Sequence, residues 1–280
     1  MTSNTIQFIV KQQLCTQCGT CSKECPTLII DGKEGIPKIK EGKEKNCIRC
    51  QHCLAICPAG AISIHGKQPE NSVTLGNNIP SDIEMANLIK TRRSIRIFSQ
   101  KEIDLKQINE LLDTAAYAPS GHNKNQVLFS ITETKKQTKH LKSMVYDAIK
   151  LAKEENRLPE AIAFFGNFQH LWENKGIDIL FRNAPHVLIA SAPENNSNGS
   201  TDCVIALSYF ELLANTKGIG TLWNGFVKMV IDHLGEDIAS QINIPKNHKI
   251  AYIMVFGQPT VKFARSIQSE GLNVNRIENS

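Results

Sequence analysis

The chain has 280 residues and a mass of 31.1 kDa, enough for one or two domains whose cores need no covalent staple. It is 41% hydrophobic and 21% charged, which excludes a largely disordered chain, and its net charge of +5 comes from lysines spread along the sequence, with no basic stripe to suit nucleic acid. No apolar run reaches the ~18 residues of a membrane span, and the opening MTSNTIQFIVKQQLC lacks a secretory leader's apolar centre, so a cytoplasmic protein with no membrane or nucleic-acid partner is expected.

Cysteine usage marks a first domain, residues 1–66. Eight of the nine cysteines fall before residue 58: Cys15, Cys18, Cys21 and Cys25, then Cys47, Cys50, Cys53 and Cys57. Both runs read C-x2-C-x2-C-x3-C followed by proline, Pro26 or Pro58. Between them, residues 6–10, 28–30, 36–39 and 61–64 are short apolar pieces that predict two small hairpins over the ligand loops. Gly19 and Gly60 allow close backbone approach beside ligands, and the charged stretch 31–46 predicts an exposed excursion.

The duplicated pattern resembles the bacterial two-cluster [4Fe–4S] ferredoxins over about residues 7–66. Three thiols two residues apart can wrap one face of a cubane; once proline has turned the chain, the fourth serves the other cluster. The expected metal ligands are therefore crossed, Cys15, Cys18, Cys21 and Cys57 for one cluster and Cys47, Cys50, Cys53 and Cys25 for the other. Zinc is the main alternative, although structural zinc takes paired C-x2-C knuckles; disulfides would need a secreted protein, and simple thiol burial leaves the duplication unexplained. Residues 1–66 carry eight Lys and Arg against five Asp and Glu, which offsets two anionic clusters. An external ferredoxin or flavodoxin-like donor would have Lys38–Lys45 to dock on.

Residues 67–81 are rich in turn formers and predict a linker, in which VTL (73–75) could add a short strand. The remainder, 82–280, predicts an α+β domain. Helices are expected at 85–91, at 104–117 with Asp104 at its amino end, and at 135–153, with an aromatic stretch at 162–172. Strands are expected at 126–132, 186–192 and 249–256, at least three and up to five in all. The helix at 202–217 is apolar almost all round, which predicts a central position, and Lys217–Gly218 ends it. No G-x-G-x-x-G follows a strand, which leaves a Rossmann unit unsupported.

Four segments carry candidate chemistry. TRRSIRIF supplies Arg92, Arg93, Ser94 and Arg96, able to surround a phosphate or else to form a solvated basic turn. APSGHNKNQ (118–126) offers hydroxyl and amide groups for the polar edge of a flavin, or else is a polar turn. GIGTLWNGF (218–226) has glycines that permit close approach to a flat ring, and FGQPTVKFAR (256–265) ends on two cations. In this order the segments resemble the nitroreductase family of FMN enzymes over about residues 82–265.

The resemblance implies a mostly antiparallel sheet flanked by helices, and a homodimer with FMN at its interface. It places Arg92, Ser94 and Arg96, with Arg93 beside them, on the phosphate and ribityl side, and Lys262 and Arg265 in the phosphate clamp. Pro119, Ser120, Asn123 and Gln126 would contact the ribityl chain and ring. Gly220 and Thr221 would also bind the flavin, and Trp223, Asn224 and Gly225 would lie near its reactive edge.

The expected activity is that of an FMN-dependent oxidoreductase of anaerobic metabolism. Two [4Fe–4S] clusters pass single electrons to FMN, which reduces a small conjugated acceptor such as a nitroaromatic or quinone. A relay or redox sensor serving a protein partner, and a reductase driven by NAD(P)H with accessory clusters, are the alternatives. No side-chain acid or base is assigned: His122, His170, His186 and His233 read as structural, and Cys203 as a buried thiol. Phe164, Phe165, Phe168 and Trp172 either cover a flavin face or pack the core or a dimer contact.

Overall fold

The computed structural model describes residues 6–32 and 35–277, which fall into two compact units. The first runs to Pro80 and includes His122–Lys124; the second comprises Ser81–Gly121 and the chain from Asn125 onward.

In the first unit, β1 (Phe8–Val10) is followed by α1 (Thr20–Glu24), β2 (Ile30–Asp31), β3 (Lys38–Ile39), α2 (His52–Ala55) and β4 (Ile62–Ile64). The expected pair of hairpins is corrected in one respect. β2 and β3 form a local hairpin, but β1 pairs antiparallel with β4, Phe8 opposite Ile64 and Val10 opposite Ile62. The first and last strands thus close the unit over a core of Ile29, Ile30, Leu54, Ile62 and Ile64, shared with Cys21, Cys25 and Cys53. Lys33 and Glu34 of the expected excursion lie outside the described residues, and a 3-10 turn at Glu44–Asn46 completes it. VTL forms no strand: Val73 and Leu75 are exposed between 3-10 turns at Pro69–Asn71 and Gly76–Asn78.

The second unit adds α3 (Asp82–Thr91), α4 (Leu105–Ala115), β5 (Leu128–Ile131), α5 (Lys135–Glu154), α6 (Phe165–Lys175), β6 (His186–Pro193), α7 (Gly199–Thr216), β7 (Gly220–Trp223), α8 (Gly225–Leu234), α9 (Glu236–Gln241) and β8 (His248–Gly257). Polar signals set the starts of helices. Ser81 and Glu84 form a capping box on α3, Thr134 and Gln137 form one on α5, and Asp104 accepts from the Lys106 amide. The four strands make one antiparallel sheet in the order β5-β6-β8-β7.

Strand periodicity divides the core into two layers. Val187 and Ile189 of β6 with Ile253 and Val255 of β8 face a cluster containing Val145 and Ile149 of α5 and Val227 of α8. Their neighbours Leu188, Ala190, Met254 and Phe256 face Ile108 and Leu111 of α4 and Leu207 and Phe210 of α7. Both central strands are therefore apolar on both faces, which is why they read as continuous hydrophobic runs.

One face of α7 buries Cys203, Ala206, Leu207 and Phe210, whereas Val204 and Tyr209 stay exposed. The apolar face of α3 is likewise open, with Ile83, Met85 and Ile89 exposed. β7 was not expected as a strand, because its Gly-Thr-Leu-Trp run reads as loop chemistry. It pairs with β8 from Gly220–Gly257 to Trp223–Met254. Among the described residues no helix is long and apolar enough to cross a membrane.

Candidate functional site

The two cysteine runs build matching loops. Left-handed backbone recurs at equivalent places in each: Gln17 and Arg49, Gly19 and Gln51, Leu28 and Gly60. Gly19 and Gly60 occupy conformations that favour glycine, although the partner repeat manages with Gln51 and Leu28. The first two pairs curl the C-x2-C-x2-C segments so that their thiols converge, and the third turns the chain after each proline.

Cys15, Cys18, Cys21 and Cys57 line one cavity, and Cys25, Cys47, Cys50 and Cys53 line another. Each groups three thiols of one run with the fourth of the other. All nine cysteines are free thiols. Among the described residues, no three Cys, His, Asp or Glu side chains converge as they would on a single ion. Each quartet rings a cavity, an arrangement that suits a polynuclear centre.

The thiols differ in their electrostatics: hydrogen bonding at Thr20 and Thr16 lowers Cys18 to about 7, whereas two buried thiols are raised. Burial, then the neighbouring Cys50, Cys47 and Cys25, pushes the Cys53 thiol up to about 12. Burial also raises Cys21, with Cys57 and Cys18 adding to it. Four thiolates in such a space require compensating cations, which a metal centre would supply. Hydrogen bonds to sulfur come from the Ala61 amide to Cys57 at 3.3 Å and the Arg49 amide to Cys47 at 3.4 Å.

In the second unit, three of the four segments singled out from sequence meet. Residues 92–98 leave α3 and run beside β7: Ser94 bridges Thr221, and the Ile95 amide donates to the Thr221 carbonyl at 2.9 Å. The same segment meets the end of β8, where Ser99 N donates to Gln258 O at 2.7 Å and Phe98 bridges Pro259. Gly220 serves this packing. A Cβ there would lie 2.5 Å from Ile95 Cγ1, so its missing side chain admits Ile95, where a flat ring was the expected neighbour.

The arginines differ in their partners. Arg92 Nη1 lies 3.3 Å from Glu211 Oε1. Arg93 folds back on the carboxyl end of α3, donating to the carbonyls of Arg92 and Lys90, and its Nε is buried without a hydrogen-bond partner. Arg96 is exposed and reaches the Ser94 carbonyl at 3.4 Å. Among the described residues, Glu211 is the one carboxylate paired with any of the three. The cluster thus keeps positive charge and an unpartnered N–H, a donor set that fits a phosphate.

Beyond β7, Asn224 caps α8, accepting from the Val227 amide at 3.1 Å and donating to the Leu180 carbonyl at 2.8 Å. That carbonyl is held by a buried assembly. Lys142 pairs with Asp178 at 2.7 Å, Asp178 accepts from Tyr146 Oη and the Phe181 and Asn183 amides, and Tyr146 Oη accepts from Leu180 N. Burial, with Asp178 adjacent, raises the Tyr146 phenol well above its ordinary value, so it stays a neutral donor. Gly225 begins α8, with Tyr252 Oη 3.3 Å from where a Cβ would stand.

The fourth segment is only partly joined to this group. Pro119 and Gln126 are exposed, Ser120 Oγ bonds Asn125, and Asn123, at φ 53°, falls with the first unit. Lys262 and Arg265 are exposed in irregular chain, with no hydrogen bond or ion pair to the arginines among the described residues.

The nitroreductase family model matches residues 89–258, and the 4Fe-4S dicluster domain model matches 14–62. The chain belongs to the nitroreductase family.

Solved structures of this nitroreductase fold include an FMN-bound nitroreductase from Bacteroides fragilis, 20% identical, with a TM-score of 0.55 over 69% of this chain and 99% of that one. An FMN-dependent nitroreductase from Clostridium difficile is 23% identical, with a TM-score of 0.53 over 70% of this chain and all of its own. No curated protein matches.

Sequence reasoning missed two acidic residues of this nitroreductase-family unit. Glu211 accepts from Thr221 Oγ1 and Trp223 Nε1, both at 2.9 Å, besides Arg92. Asp202 accepts from the Gly121 amide at 3.0 Å, and its Oδ2 is buried without a hydrogen-bond partner. The available signal was a charge within an otherwise apolar helix, where burial demands partners.

The unassigned side chains behave as structural groups. His186 is fully buried; Nδ1 donates to Thr132 O and Nε2 accepts from Ile103 N, which fixes the neutral form, and burial lowers its pKa. Cys203 is buried, and that burial pushes its thiol up to about 12. Phe165 is wholly buried and Trp172 stacks on Tyr146 at 5.0 Å, so these two pack the core, while Phe164 is 41% exposed.

Proposed function

We propose that the protein is an FMN-dependent oxidoreductase in which two [4Fe–4S] clusters deliver single electrons to FMN for the two-electron reduction of a small conjugated organic acceptor, such as a nitroaromatic or quinone. The observation that carries this reading is the coexistence of two crossed thiol quartets with an arginine-rich site built from three segments of a nitroreductase-family unit. Bound FMN supplies the change from one-electron to two-electron chemistry, and the clusters supply one-electron storage.

The chain's own residues bind and orient. The thiols of Cys15, Cys18, Cys21 and Cys57, and of Cys25, Cys47, Cys50 and Cys53, hold iron. Arg92, Arg93 and Arg96, with Ser94, hold the phosphate, and Lys262 and Arg265 complete the clamp. Gly220 and Thr221 carry the strand to the ring, while Pro119, Ser120, Asn123 and Gln126 meet the ribityl and ring. Backbone donors around Trp223, Asn224 and Gly225 face the reactive edge, where they stabilise negative charge. The open apolar faces of α3 and α7 support a homodimer. Free thiols and iron ligation suit the reducing cytoplasm.

Cofactor content of the anaerobically purified full chain tests this. The expected content is one FMN and about eight irons per chain, the iron of two four-iron clusters. Absence of flavin defeats the reading, and about half the iron defeats the two-cluster assignment.

A further inference from the structure

One buried charge beside the proposed flavin site has no role assigned above. Glu211 is 6% exposed, on a stretch of α7 flanked by Phe210, Leu212 and Leu213. Its Oε1 accepts from Thr221 Oγ1 at 2.9 Å and from Arg92 Nη1 at 3.3 Å; its Oε2 accepts from Trp223 Nε1 at 2.9 Å. Thr221 and Trp223 lie two apart on β7 and so present one face to the helix. One carboxylate therefore ties the arginine leaving α3 to the strand that leads into Asn224 and Gly225.

An apolar residue of similar volume would fill this space at less cost in desolvation. What it would not do is aim a guanidinium. The Arg92 hydrogen bond to Glu211 uses Nη1, and a fork anchored at one corner presents its remaining N–H groups in a fixed direction. We propose that Glu211 is a positioning residue for flavin binding, fixing Arg92 toward the phosphate. This rests on the FMN reading above.

The test uses the full-length chain, with FMN and riboflavin as paired probes, because riboflavin shares the ring and ribityl chain but lacks the phosphate. In Glu211→Gln the amide nitrogen competes with Arg92, so FMN affinity falls about tenfold, the effect of one charge-assisted hydrogen bond, while riboflavin affinity is unchanged. In an Arg92→Ala background the same substitution has no further effect on FMN. Glu211→Asp keeps the charge but falls short of the three donors; it gives the same FMN-selective loss and serves if the Gln variant does not fold. Equal weakening of both flavins would show a merely structural role and overturn the proposal, as would unchanged FMN binding or full additivity with Arg92→Ala. If the wild type binds neither flavin, the FMN reading itself falls.

Discussion

Replacing Gly220 with alanine probes the packing that assembles the proposed flavin site. Its backbone lies outside the left-handed region, so alanine meets no conformational penalty there. The new Cβ, however, would stand 2.5 Å from Ile95 Cγ1 and 2.9 Å from Ile95 Cβ. Neither partner yields easily. Ile95 is 7% exposed and bonded through its amide to Thr221, and β7 is locked to β8 on its other edge. Overpacking of this kind costs about 1–3 kcal/mol. Ile95→Ala alone costs about 2–5 kcal/mol by leaving a cavity. The alanine at 220 partly fills that cavity, so the double variant is less destabilised than the two singles summed. Urea denaturation followed by tryptophan fluorescence measures all three against wild type. A Gly220→Ala midpoint equal to wild type, or strict additivity in the double, refutes the proposed contact.

Other outcomes follow from the same structure. Cys57→Ser removes the cluster also served by Cys15, Cys18 and Cys21, and Cys25→Ser removes the other, so each leaves about half the iron and one cluster signal in the EPR spectrum. Arg92→Ala with Arg96→Ala releases FMN while leaving the iron content intact; stoichiometric flavin in the purified variant would contradict the phosphate assignment. Asp178→Asn strands the buried Lys142 and destabilises the second unit by about 3–5 kcal/mol in denaturant titration. Burial depresses the folded pKa of His186, whereas the unfolded chain binds its proton near pH ~6.5. The unfolded state then holds more protons below that pH, so stability is intact above it and falls as the solution is acidified. His186→Gln removes that part of the pH profile.

How far the sequence disclosed this protein differs between its two units. The cysteine spacing is a local code, so the quartets of thiols could be read before any fold was known. The β1–β4 closure could not, because no turn signal links strands so far apart. In the second unit, the capping residue Asp104 announced a helix start, since the cap is made within three residues. β7 escaped because its glycine and tryptophan suggest a loop, whereas the position is dictated by Ile95 and by pairing with β8. Glu211 and Asp202 were legible only as anomalies, as their partners lie on other elements. The open faces of α3 and α7 show the limit of composition: an apolar residue in a sequence does not say which surface covers it.

The most direct test of the electron path is an anaerobic reduction of the full-length protein by a reduced low-potential ferredoxin, with cluster and flavin absorbance followed together. The account predicts that both bands bleach in wild type, that flavin bleaching is lost in Cys25→Ser and Cys57→Ser proteins that retain FMN, and that a nitroaromatic restores the oxidised flavin spectrum. Flavin bleaching by NADH or NADPH that proceeds equally in those variants, with no response to reduced ferredoxin, would contradict it.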